Sequence, residues 1–124
     1  MRAEVKRLGL YITFAVNIVC AAANAEDLVS VEYYRSFAGY QHPVQLIGKE
    51  TKEEAESADA AYYMGYFDSK RKLVKVVKIM DGKMIFEYTY SYHSNGKLRR
   101  VESLNDASGR NIQEFNESGK LIAP

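Results

Sequence analysis

MIFEYTYSYHSNGKLRR, residues 84–100, is the stretch on which the fold turns. Met84, Phe86, Tyr88, Tyr90 and Tyr92 fall on one side of an extended chain, and Glu87, Thr89 and Ser91 on the other. This period of two belongs to a strand with one dry and one wet face. Asn95-Gly96 follows, among the strongest short signals for a hairpin, and Leu98-Arg99-Arg100 opens the return strand. The aromatic side is expected to lie against a helix and neighbouring strands, with Tyr90 and Tyr92, nearest the turn, the rings closest to a ligand.

On both sides of this stretch, β-rich runs separated by Asp, Asn, Ser and Gly recur, so that the series is 62–67, 73–80, 84–93, 98–104 and 111–115, with a stub at 121–122. Connections of two to five residues cannot make parallel crossovers, so this half reads as an antiparallel meander. Upstream, 29–37 and 44–47 form a first hairpin around the turn-like Gly39-Tyr-Gln-His-Pro43. Between the halves, Thr51-Lys-Glu-Glu54 matches a capping box, and 52–61 holds neither Gly nor Pro. One short helix belongs there, its acidic first turns favoured by the helix dipole. The fold class is α+β: an antiparallel meander of about six to eight strands with one short helix packed on it or capping one end.

The hairpin turn has echoes. Phe67-Asp-Ser-Lys-Arg-Lys-Leu73, Tyr92-His-Ser-Asn-Gly-Lys-Leu98 and Phe115-Asn-Glu-Ser-Gly-Lys-Leu121 each enter on an aromatic and leave on Lys-Leu. Gly96 and Gly119 suit a position of positive φ. Arg71 stands there in the first copy, where a left-handed backbone costs about 1–2 kcal/mol, so a different or looser turn is expected. The copies resemble the tyrosine-aspartate repeats of Rhs-type proteins, Tyr-Asp-x-x-Gly-Arg-Leu, and the turn motifs of MORN-type antitoxin repeats. Only Phe67-Asp68 keeps the Asp, and no copy keeps Gly-Arg. The resemblance implies stacked hairpins rather than an enclosing shell. A wider pattern, Tyr40-x-x-Pro43-Val, the acidic helix, Tyr62-Tyr63, Phe67-Asp68, Lys72-Leu-Val, Tyr88-x-Tyr90 and Gly96-Lys-Leu-Arg-Arg100, is similar to a small family of uncharacterised bacterial proteins. It implies the fold outline and no activity.

The first 25 residues differ in kind from the rest. Arg2, Lys6 and Arg7 precede an apolar run that ends in Ala23-Asn24-Ala25, the layout of a secretory signal peptide cleaved before Glu26. The run is shorter than the ~20 apolar residues of a membrane span and is interrupted by Asn17. Asn17-Ile-Val19 before Cys20 departs from a lipobox. Residues 1–25 are thus a leader and 26–124 a single exported domain, periplasmic or secreted, touching a membrane only if the leader stays. Losing Cys20 leaves no cysteine, so the core must hold the domain without disulfides.

Residues 26–124 carry fourteen Lys and Arg against fifteen Asp and Glu. The distribution is lopsided: 26–69 sums to −6, 70–100 to +7 and the remainder to −2. The basic block interleaves with aromatics, as in nucleic-acid binders. Export argues against that partner, and neighbours such as Lys75/Lys78 or Arg99/Arg100 sit at odd spacings that send them to opposite faces of a regular strand. A bulge could realign them.

Catalytic and metal signatures are sparse. His42 and His93 lie in different turns, without Cys or carboxylates at ligand spacing, so neither a metal nor a cofactor is expected. The exported domain has no thiol, no Gly-x-Ser-x-Gly and no Gly-rich phosphate loop. The expected function is non-enzymatic: a module presenting Tyr40, His42, Tyr90, Tyr92, His93, Asn95 and Arg99 to a protein or envelope polymer. Two alternatives stand beside it. One is a hydrolase or lyase pairing two of Glu32, Glu87, Glu102 and Glu114 across the sheet. The other is a homodimer joined through an edge strand.

Overall fold

The computed structural model describes residues 30–39 and 41–123, so the expected leader and Tyr40 lie outside the described residues. Eight strands form one antiparallel sheet: β1 (Ser30–Ala38), β2 (Gln45–Glu50), β3 (Tyr62–Phe67), β4 (Leu73–Met80), β5 (Lys83–Tyr92), β6 (Leu98–Asn105), β7 (Gly109–Phe115) and β8 (Leu121–Ala123). Their spatial order is β2-β1-β3-β4-β5-β6-β7-β8. From β3 onward each strand pairs with the next, as the short connections require. Before that the chain departs from a pure meander. β2 lies outside β1, and β3 joins the opposite side of β1.

The segment between β2 and β3 therefore crosses β1, and it carries the helix, α1 (Lys52–Ser57). Its capping box is complete: the Glu54 amide donates to Thr51 Oγ1 at 3.0 Å, and the Thr51 amide donates to Glu54 Oε1 at 2.9 Å. Ala55 is fully buried where α1 meets β1. The helix is shorter than the 52–61 run of helix formers suggests, because Ala58 already has extended backbone with ψ 142°. Tertiary geometry overrides propensity here. Arg35 on β1 donates to the Ala61 carbonyl at 2.8 Å and pairs with Glu50 at 2.6 Å, tying both ends of the crossover to the strand beneath it.

Register places Tyr63, Val76, Phe86, Tyr88, Tyr90 and Val101 on one face of the sheet. The helix does not cover this aromatic face, contrary to the expectation from sequence. The first hairpin does. Phe37 meets Tyr63 edge-on at 5.2 Å and Phe86 at 6.3 Å, and the His42 ring meets Tyr88 edge-on at 4.7 Å. Tyr34 and Phe37, an odd number apart on β1, both pack against this core, so the hairpin coils as it runs. Gly48, opposite Arg35 and at φ 78°, relaxes the alternation at the bend. Leu46 then passes so close to Gly65 that a Cβ there would lie 2.5 Å from its Cδ1. The core is a sheet with its own first hairpin folded over it, and Val76 and Val101 at its centre are fully buried.

The three echoing turns share one backbone geometry. The amide of the fourth residue donates to the carbonyl of the first: Arg71 to Asp68 (3.0 Å), Gly96 to His93 and Gly119 to Asn116 (both 2.9 Å). The first residue's amide donates to the carbonyl of the Lys four ahead, at 3.0 Å for Asp68 and 2.8 Å for His93 and Asn116. This is a type I turn closed by a residue in the left-handed region. Arg71 adopts it at φ 65°, alongside Gly96 at 91° and Gly119 at 92°, so the first turn is not the looser one expected. Two local features offset the strain. Asp68 Oδ1 accepts from the Lys70 and Lys72 amides at 2.8 and 2.9 Å, and the Arg71 guanidinium pairs with Glu32 at 3.0 Å over the Phe67 ring.

Candidate functional site

Each echoing turn is followed by a register shift. Phe67 faces Leu73 while Tyr66 faces Lys75; Tyr92 faces Leu98 while Ser91 faces Arg100; Phe115 faces Leu121 while Glu114 faces Ala123. Val74, Arg99 and Ile122 are thus extra, bulged residues. The shift keeps each aromatic and its Leu on the covered face. It also brings Arg99 to the side of Ser91 and Arg100, so the parity argument from sequence fails at this pair. It holds for Lys75 and Lys78: Lys75 faces Thr89 on the open face, and the Lys78 ammonium lies 5.9 Å from the Phe86 ring on the covered one.

The three turns stand in a row at one end of the sheet and brace one another. The Lys72 ammonium donates to the Gly96 carbonyl at 2.8 Å, and Asn95 Nδ2 donates to the Glu117 carbonyl at 2.9 Å. His93 Nε2 lies 2.8 Å from the Phe115 carbonyl, an acceptor only, so this nitrogen carries its proton. On the other side Arg71 ties the row to Ser30 and Glu32 of β1.

Two clefts flank the row. The one on the covered face, about 560 Å³, runs between the 42–44 loop and the turns, with Leu73, Leu98 and Phe115 in its wall and Arg71 and Lys97 at its rim. The other, about 810 Å³, lies on the open face, where Lys70, Lys75, Arg99, Thr89, Ser91 and Ser94 line it. Asp68 also lines it, but Asp68 Oδ1 is taken up by two turn amides. Lys75 is shared with Glu87 at 3.7 Å. Among the described residues, neither Lys70 nor Arg99 pairs with a carboxylate.

The residues singled out from sequence separate into three groups. Tyr90 is buried at 3 % exposure, and its hydroxyl accepts from the Val44 amide at 3.2 Å and lies 2.8 Å from His42 Nδ1. Burial pushes the Tyr90 phenol well above its ordinary range and lowers the pKa of His42, so His42 is neutral at pH 7 and Nδ1 accepts the phenol's proton. Tyr92 donates to the Leu73 carbonyl at 2.6 Å, and burial, with Asp68 nearby, raises its pKa to about 12. His42 and Tyr90 thus hold the cover to the sheet, and Tyr92 ties β5 to the start of β4. His93 and Asn95 brace the turns. Arg99 lines the open-face cleft and pairs with no carboxylate among the described residues.

Sequence reasoning missed Lys70, Lys75, Thr89, Ser91 and Ser94. The signal was present in the +7 block and in the wet side of the 84–92 alternation, but it needed the bulge to bring both onto one surface.

The candidate carboxylates are spread over both faces. Glu32 sits beside the covered core, where hydrogen bonds from Arg71 and Tyr34 lower its pKa to about 2. Glu87 pairs with Lys75, and Glu102 with Arg100 and Arg110. Neither flanking cleft is lined by any of the four glutamates. Among the described residues no three His, Cys, Asp or Glu side chains gather as metal ligands, and no helix is long and apolar enough to cross a membrane.

A family profile described as "Family of unknown function (DUF6156)" matches residues 26–124. The chain belongs to this family. The DUF6156 match spans the crossover, the covering hairpin and all three turns, so the geometry above lies within the family's own region. No curated protein and no solved structure matches the chain.

Proposed function

We propose that this DUF6156 protein is an exported, non-enzymatic binding module, and that its recognition end is the row of three turns. The observation that carries the reading is the bracing of that row. Side-chain to main-chain bonds fix three turns against each other, while Lys70 and Arg99 beside them line a cleft and pair with no carboxylate among the described residues. A rigid scaffold that spends its hydrogen bonds on loops and leaves side chains unpaired beside them suits recognition. The family region, 26–124, coincides with the chain that remains if the leader is removed, in keeping with a periplasmic or secreted location. The partner is a protein or an envelope polymer. The hairpin echoes resemble Rhs-type tyrosine-aspartate repeats only at the level of stacked turns.

A photo-crosslinking residue at Ser94, in the row, is expected to trap one saturable partner from periplasmic extract. The same residue at Asp106, on the loop at the far end of the sheet, is expected to trap none. Equal trapping at both ends, or none at either, would overturn the reading.

One observation favours a second reading, self-association along an edge. β8 covers only Glu114 and Phe115 of β7, so among the described residues the β7 backbone from Gly109 to Gln113 has no strand on its outer side, beside Leu121 and Ile122 at 53 % and 61 % exposure. Pairing of two copies there gives a dimer. Light scattering that finds a strict monomer at high concentration removes it.

A further inference from the structure

The open-face cleft has a chemistry of its own, one that names a class of ligand. Three adjacent strands build it, with Lys75 on β4, Thr89 and Ser91 on β5 and Arg99 at the β6 bulge, about 10 Å across at ordinary strand spacing. The flanking turns add Lys70 and Ser94. The lining therefore joins hydroxyls and cations, with Val74 and one carboxylate among them, Asp68, whose Oδ1 is taken up by two turn amides. Positive charge here is local, because residues 26–124 as a whole carry one more acid than base.

We propose that this cleft binds a short stretch of acidic glycan, sugars bearing carboxylates, with Lys70 and Arg99 taking two anionic groups and Thr89, Ser91 and Ser94 bonding the ring hydroxyls between them. Arg99 offers a fork that matches a carboxylate, and Lys70 a point charge. Lys70 comes from the first turn and Arg99 from the β6 bulge two strands away, which favours a ligand with repeated anions over a single small ion. Nucleic acid fits less well. Sequence-tolerant binding of single strands relies on exposed rings that stack bases. Of the tyrosines that line the cleft, Tyr90 is buried, and Tyr92 is fixed to Leu73 and lies under the Lys72 ammonium at 4.7 Å.

The inference rests on the binding-module reading and narrows its partner to a polymer. Its test is titration of the intact chain with labelled tetragalacturonate, maltotetraose and a thymidylate tetramer. Tetragalacturonate is expected to bind roughly tenfold more tightly than maltotetraose, and to weaken severalfold between about 20 and about 200 mM salt. Lys70→Gln and Arg99→Gln are each expected to weaken it by roughly fivefold with unchanged melting temperature. Lys83→Gln, at the far end of the sheet, is the control for net charge and is expected to leave affinity unchanged. Equal binding of the neutral tetramer, tighter binding of the thymidylate, or an equal loss in Lys83→Gln would each overturn the assignment. If the glycan fails to bind while Ser94 still traps a partner, the ligand class is wrong and the module reading survives. If Ser94 traps nothing either, both fall.

Discussion

Replacing Tyr90 with Phe removes one oxygen from the place where the cover meets the sheet. That oxygen accepts from the Val44 amide at 3.2 Å and stands 2.8 Å from His42 Nδ1, while Val44 and Tyr90 are 7 % and 3 % exposed. The ring stays, so packing is preserved and the loss is polar. An amide left without an acceptor in a buried site costs about 1–3 kcal/mol, and the imidazole, half-buried, adds less. A net loss of about 2 kcal/mol corresponds to a fall in Tm of roughly 8–16 °C for a domain of this size. The loss also depends on pH in a defined direction. His42 has its pKa lowered from 6.5 by burial, so its contribution is fully present above 6.5 and fades as pH falls through the depressed folded value. Only the neutral ring accepts a hydrogen bond from the phenol, so Tyr90→Phe costs most above pH 6.5, and its cost falls once the pH is below the depressed folded value. Urea unfolding over a pH series downward from 7.5, followed by tyrosine fluorescence, measures both quantities, since the chain has no Trp. A variant within about 0.3 kcal/mol of the parent at pH 7.5, or a loss that grows as the pH falls, would refute this account of how the cover is held.

Gly65→Ala pushes a methyl to within 2.5 Å of Leu46 Cδ1 and 3.1 Å of the Phe67 ring, so it destabilises by about 1–3 kcal/mol. In a Leu46→Ala background the same change loses most of its penalty, and a thermodynamic cycle that adds without coupling would show that the hairpin does not pack there. Because the Glu32 carboxyl is held down to about 2 from 4.5, its contribution to stability is complete above pH 4.5 and is lost as pH falls toward 2. Glu32→Gln therefore flattens the acid-unfolding curve in that window, which circular dichroism reads directly. Thr51→Ala removes the acceptor for the Glu54 amide and costs about 0.5–2 kcal/mol, measured as a shift in the urea midpoint.

Local signals carried the elements. The 84–92 alternation, the Asn95-Gly96 turn and the Thr51–Glu54 capping box are each set by residues within a few positions of one another, and the structure has a strand, a hairpin and a helix start at these places. The cover was not legible because its contacts, Phe37 with Phe86 and His42 with Tyr90, join residues about fifty positions apart and depend on a twist in β1 that no periodicity encodes. The open-face cleft was hidden for a related reason. A one-residue bulge reverses the facing of Arg99, and period-two reasoning has no means of placing it. Burial also reassigned Tyr90: its position beside the turn suggests access, yet the loop from residue 41 to 44 lies across it.

A cover drawn from the first hairpin sets the order in which this chain can close. During synthesis residues 37–46 emerge well before Val76, Tyr90 and Val101, the residues they are to shield. The later hairpins each close within about a dozen residues and form as soon as they are made, whereas the cover spans a long loop and docks slowly. Until Val101 is released, the apolar side of the growing sheet stands open, and that interval is when a holding chaperone has the most to grip.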